Sequence, residues 1–119
     1  MTQKIKKICF DIDGVICTLS NDNIYSKSKP IKKNIKLINQ LYKKNYEIIL
    51  FTSRFMGRNK ENSKKAYKMG YEFTEKQLKK WSVKYHKLIM GKPSFDVVVD
   101  DKSLFFKKNW AKILLNKLG

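Results

Sequence analysis

Six side chains in this sequence stand at the ends of short apolar runs that do not account for them. Asp11 and then Asp13 follow Lys-Ile-Cys-Phe, Thr52 follows Tyr-Glu-Ile-Ile-Leu-Phe, and Lys92 follows Leu-Ile-Met-Gly. Asp100 and Asp101 close Phe-Asp-Val-Val-Val. Four of the ten acidic residues of a chain with formal net charge +17 therefore fall at two such ends. If the runs lie side by side, the carboxylates converge. Two carboxylates about 4 Å apart repel by ~4 kcal/mol at an effective dielectric of about 20. A hard cation that takes one or two carboxylates together with waters and phosphate oxygens removes that conflict, so Mg²⁺ is the expected cofactor.

The elements that must position these groups alternate strand and helix, which predicts an α/β fold. The expectation is one Rossmann-like domain over residues 1–119, with a mainly parallel sheet flanked by helices and no large cap domain. Strands are expected at Lys6–Asp11, Tyr46–Phe51, Leu88–Met90 and Phe95–Asp100. Ile31–Asn45 carries Ile31, Ile35, Ile38, Leu41 and Tyr42 at helical spacing, with lysines on the other face. Asn59–Met69 reads as a short charged helix stopped by Gly70. A further helix is expected from Thr74, where Thr-Glu-Lys-Gln matches a capping box and Leu78, Trp81 and Tyr85 share a face. Ser103–Leu118 reads as a closing helix. Ile12–Pro30 is a long polar connection, and such connections usually carry function. In open parallel sheets ligands bind at the carboxyl ends of the strands, which is where the six side chains fall.

Asp11-Ile12-Asp13-Gly14-Val15-Ile16, Leu50-Phe51-Thr52-Ser53, Gly91-Lys92-Pro93 and Val99-Asp100-Asp101, in that order from residue 11 to residue 101, resemble the four motifs of the haloacid dehalogenase superfamily. The Gly-Lys-Pro and Asp-Asp-Lys segments are similar to those of small capless phosphatases encoded with bacterial capsule and surface-polysaccharide genes. The resemblance implies a magnesium-dependent phosphomonoesterase with an aspartyl-phosphate intermediate on Asp11. Asp13 would be the acid that protonates the leaving alcohol and then the base that activates water. Thr52, with Ser53 beside it, would bind phosphoryl oxygens, and Lys92 would neutralise Asp11 and the phosphoryl charge. Asp11, the backbone carbonyl of Asp13 and Asp100 would hold Mg²⁺. Neighbouring strand residues point opposite ways, so Asp101 would bind only a water of the metal. The resemblance also argues against dehalogenation, because superfamily members that attack carbon lack the second acid, here Asp13.

The chain has 27 basic residues, and its only arginines are Arg54 and Arg58. A chain that uses lysine everywhere else but arginine twice just after Thr52 points to a need for planar, bidentate donors, read here as substrate contacts. The lysines are scattered through the sequence, which reads as a solvated basic surface; nucleic acid is not the expected partner. The expected substrate is a small phosphorylated metabolite, a sugar phosphate or a polyol or amino-alcohol phosphate. The alternatives are a polynucleotide 3′-phosphatase and a non-catalytic basic or phospho-receiver module; in a receiver the lysine follows the acidic pair, whereas Lys92 precedes it. Cys9 and Cys17 match no zinc spacing and read as inert, buried or half-buried thiols. His86, Trp81 and Tyr85 read as structural. No apolar run approaches ~18 residues, and Met1–Lys7 leads into too short an apolar run for a signal peptide, so a cytoplasmic protein without membrane contact is expected. Capless relatives often assemble, so a homo-oligomer is a further expectation.

Overall fold

Three short strands place every apolar side chain of one sheet face against the helices. The computed structural model describes residues 5–119, so only the first four residues of the basic Met1–Lys7 stretch lie outside it. Strands β1 (Lys7–Phe10), β2 (Glu47–Thr52) and β3 (Lys87–Met90) are parallel in the order β1-β2-β3. In register, Ile8 lies beside Ile48, Phe10 beside Leu50, Leu50 beside Leu88, and Thr52 beside Met90. All seven are buried. The alternate residues Cys9, Ile49, Phe51 and Ile89 share the opposite face, where they are half-buried or exposed. Period-two side-chain direction turns these mixed runs into one well-covered face.

Helix α1 (Lys32–Lys43) presents Ile35, Leu37, Ile38 and Leu41 to the core and keeps its lysines in water. It matches the expected Ile31–Asn45 closely. Helix α3 (Trp110–Leu118) contributes Trp110 and Leu114 to the same core, with Trp110 edge-on to Phe10 at 6.3 Å. The expected helix began at Ser103, but the turn starts only at Trp110, where the side chains find a core to join. The fold is α/β with a parallel sheet and helices, and no cap lies among the described residues.

Two helices expected between Asn59 and Tyr85 are one, α2 (Ser63–Lys80). Its cap is Asn62, whose Oδ1 accepts from Lys65 N–H at 3.0 Å. Gly70 does not stop it, because glycine inside a helix costs only about 1 kcal/mol. Its missing side chain makes room instead, since a Cβ at Gly70 would collide with the Phe55 ring. Thr74 is not a cap but a fully buried mid-helix residue, with Oγ1 lacking a hydrogen-bond partner. Gly70→Ala should therefore lower Tm by ~5 °C, as overpacking of about 1–3 kcal/mol outweighs the gain in helix propensity. A raised Tm in thermal denaturation, as at an open helical position, would contradict this packing.

The expected fourth strand is absent. Phe95–Asp100 is irregular, with Val97, Val98 and Val99 79%, 54% and 96% exposed. The β preference of valine expresses fit to a packed, pleated surface rather than an intrinsic backbone choice. Here that segment pairs with no strand, and β1 keeps one open edge. The connection from Ile12 to Pro30, by contrast, is folded. Ile12 and Ile16 are fully buried, Thr18 N–H donates to Lys29 O at 2.9 Å, and Ile31 N–H donates to Ile16 O at 2.8 Å. No helix among the described residues is long and apolar enough to cross a membrane.

Candidate active site

Asp11 leaves β1 at its carboxyl end and is held by two groups. Its Oδ1 accepts from Ile12 N–H at 2.8 Å, and its Oδ2 lies 3.5 Å from Lys92 Nζ. Lys92 reaches it from the end of β3, across the end of β2, because its own N–H donates to Thr52 O at 3.1 Å. Gly91 makes the bend with φ +94°, and a Cβ there would sit 2.9 Å from Ser63 Cβ. Only glycine takes that turn without strain. The Asp11 carboxylate remains 40% exposed, open to a ligand.

Burial raises the Asp11 carboxyl above its usual range; Lys92 and the Ile12 N–H pull it back, and the charge of Asp13 adds to the rise. The folded chain therefore holds this proton more tightly than the unfolded one. Its contribution to stability is lost as pH climbs from about 3.9, the unfolded value, through the raised folded value. Above that window the ionised Asp11 is a net burden on the fold. Asp11→Asn should thus be at least as stable as the wild type at pH 7, with the advantage shrinking on acidification. A fall of more than about 4 °C in Tm at pH 7 would contradict that balance.

Asp13 is engaged elsewhere. Arg54 Nε donates to its Oδ2 at 2.8 Å and Arg54 Nη2 to its Oδ1 at 2.9 Å, a two-pronged pair. The third guanidinium nitrogen donates to Gln77 Oε1 at 2.6 Å, and Gln77 Nε2 donates to Tyr25 O at 2.8 Å. The Arg54 guanidinium also lies 4.7 Å from the centre of the Tyr25 ring. Arg54 is only 1% exposed, so the expectation that it grips substrate gives way to a structural one. The planar fork is needed, but its carboxylate is Asp13 of the same chain. The Cys17 thiol donates to Asp13 Oδ1 at 3.4 Å; burial first, then the charge of Asp13, pushes it up to about 12. It is inert as a nucleophile. Cys9, expected to be at least half-buried, is exposed.

Thr52 ends β2 with its side chain on the buried face, 1% exposed, and Oγ1 accepts from Arg54 N–H at 3.1 Å. Its hydroxyl thus closes the turn that delivers Arg54. Ser53 is half-buried in that turn, and its carbonyl accepts from Met56 N–H at 3.0 Å. Phe55 follows with φ +67°, a strained conformation for a bulky residue, supported by the Tyr25 ring at 4.9 Å. Arg58 is exposed; one nitrogen donates to Asn23 O at 2.6 Å while its plane lies over Phe55 at 4.7 Å. His86 is structural, its Nδ1 accepting from Ile48 N–H at 3.0 Å.

Asp100 and Asp101 are not brought to Asp11. Both are exposed, and Asp100 closes a local turn in which its Oδ1 accepts from Lys102 N–H at 2.9 Å. No group of three or more His, Cys, Asp or Glu side chains suited to a metal occurs among the described residues. As placed, the Asp11 carboxylate is partly open but paired with Lys92, the Asp13 side chain is taken by Arg54, and Asp100 does not join them in a group suited to a metal. The ligands expected for Mg²⁺ are therefore not assembled in this arrangement. Sequence reasoning missed two members of the site, Tyr25 and Gln77. Gln77 had a signal, misread as the partner of a cap at Thr74; Tyr25 had none beyond its place in the long connection.

No protein-family model matches the chain, and no curated protein matches it either. Solved structures do. A target protein from Vibrio cholerae is 22% identical, with TM-score 0.76 over 94% of this chain and 98% of its own. A chain of the Pnkp1/Rnl/Hen1 complex is 21% identical, with TM-score 0.53 over 96% of this chain and 34% of its own. A chain from a structure of the Pnkp1/Rnl/Hen1 RNA repair complex is 20% identical, with TM-score 0.50 over 93% and 30%. The protein spans about a third of those two longer chains. At such identities the likeness is one of fold, and it extends over nearly the whole length of this chain.

Proposed function

We propose that the protein is a phosphomonoesterase of the haloacid dehalogenase kind, with Asp11 as its nucleophile. The observation that carries this reading is the partly exposed Asp11 carboxylate at the carboxyl edge of the sheet, with the Lys92 ammonium 3.5 Å away. An Asp11 oxygen attacks phosphorus, the bond to the ester oxygen breaks, and the leaving alcohol takes a proton from Asp13. Water then attacks the phosphorus of the aspartyl-phosphate and gives its proton to Asp13, releasing phosphate and Asp11. Lys92 offsets the charge of the phosphoryl oxygens throughout. For Asp13 to carry a proton, one of its oxygens must come off Arg54, so Arg54 is the positioning residue of the acid.

Mg²⁺ would supply charge neutralisation in this reading, and the residues that would hold it are Asp11, the Asp13 carbonyl and Asp100, with Asp101 on a metal-bound water. Asp100 then has to leave its exposed turn, and the open edge of β1 gives its apolar segment a surface to join. Activity on p-nitrophenyl phosphate should vanish with EDTA, return with Mg²⁺, and fall far more in Asp100→Ala than in Asp101→Ala. Equal tolerance of both changes would remove Asp100 from the mechanism. The substrate we favour is a small phosphorylated metabolite, a sugar, polyol or amino-alcohol phosphate of surface-polysaccharide synthesis in the cytoplasm, contacted by Arg58 and Ser53 but not by the buried Thr52 hydroxyl, with a homo-oligomer completing the unit.

A second reading, a polynucleotide 3′-phosphatase, is favoured by the fold likeness to chains of an RNA repair complex. A panel of sugar phosphates beside a 3′-phosphorylated oligonucleotide separates the two by kcat/KM.

A further inference from the structure

Five of the 25 lysines that look scattered along the sequence are gathered by the fold. Lys32, Lys36 and Lys43 of α1, Lys80 at the end of α2 and Lys84 in the connection beyond it line one open cleft of about 860 Å³. No aspartate or glutamate lines it, and none of these five ammonium groups has a carboxylate partner among the described residues. The cleft shares no residue with the Asp11 site. Five unpaired like charges around one concavity raise the local potential and favour a polyanion over a single small anion. Lys32 to Lys43 spans ~16 Å of helix, enough to pass at least two phosphates of one strand even when stretched well beyond the ~3.4 Å of a duplex.

Charge is not the only feature. Trp81 and Tyr42, both half-buried, lie in the same wall. Trp81 stands at the carboxyl end of α2, between Lys80 and Lys84. Aromatic faces set among lysines in a concave site suit unstacked bases, which a duplex keeps inside.

We propose that this cleft binds single-stranded nucleic acid. The assignment rests on charge complementarity and the aromatic wall, and it stands whether or not the Asp11 site is a phosphatase. The test is fluorescence anisotropy of a fluorescein-labelled, twelve-nucleotide single-stranded RNA with the intact protein at two salt concentrations. Lys36→Gln/Lys43→Gln/Lys84→Gln should weaken binding at least tenfold. It should also reduce the slope of log affinity against log salt by about 2, at ~0.7 for each phosphate no longer neutralised. Lys65→Gln/Lys68→Gln/Lys108→Gln removes the same charge from exposed positions outside the cleft and should change affinity less than threefold. In the wild type the RNA should quench tryptophan fluorescence, and Trp81→Phe should abolish the quench, leaving buried Trp110 silent. Equal weakening by the two triple variants would overturn the proposal. So would the absence of saturable binding at low salt, or displacement of the RNA by polyglutamate as readily as by unlabelled RNA.

Discussion

Asp11→Asn should reduce phosphate release to below ~0.1% of the wild-type rate, since an amide cannot form the acyl-phosphate and no parallel route shares its step. The fold should survive, because the carboxylate is a net burden where it stands. Folded protein without turnover is the signature of a missing nucleophile. A variant that keeps several per cent of the rate, in a preparation free of contaminating phosphatase, would mean that Asp11 only positions something else. Lys92→Ala should be the milder lesion, because it removes charge neutralisation but leaves the attacking atom.

Arg54→Ala should be the most destabilising change in the site. It strips both hydrogen bonds from Asp13 and one from Gln77, all made by a side chain with no exposed surface. Removing one partner of a buried ion pair costs about 3–5 kcal/mol; with Asp13 still 19% exposed the low end applies, or a Tm about 10 °C lower. Arg54→Lys should recover little, since an ammonium reproduces neither the fork on Asp13 nor the hydrogen bond to Gln77. Arg54→Met combined with Asp13→Asn should recover part of the stability, because the stranded charge goes too. Thermal denaturation of the four proteins checks this ordering. A Tm within about 1 °C of wild type for Arg54→Ala would mean the pair does not persist in solution.

Much of the scaffold was legible in the residues. The apolar runs ending in Asp11, Thr52 and Gly91 are strands because alternate side chains find one buried face, and the spacing of Ile35, Ile38 and Leu41 defines α1. The failures have a common cause. Gly70 and Thr74 look like a stop and a start when read locally. Both are settled by what α2 packs against: Gly70 makes room for a ring from the turn after β2, and Thr74 is covered completely. Val97–Val99 looks like a strand, but strand formation is decided by a neighbour, and none is paired with it. The site shows the same division. The order of strand ends brought Asp11 and Lys92 to one edge and the superfamily resemblance implied their pairing, whereas neither pointed to the partner of Arg54. Its residue type called for a carboxylate or phosphate, and only the folded turn after Thr52 shows that the carboxylate is Asp13. The lysines carried no clustering signal because those of α1 and the end of α2 come together only in three dimensions.

The central claim is a covalent bond between phosphorus and Asp11, and it can be read directly. Borohydride reduces an acyl-phosphate to the alcohol, so protein quenched during turnover of p-nitrophenyl phosphate should carry homoserine in place of Asp11. Peptide mass spectrometry should find that change at position 11 alone, only when substrate is present, and not in wild-type protein treated with borohydride before substrate is added. Turnover with Asp11 recovered unmodified, or reduction at another carboxylate, would contradict the mechanism.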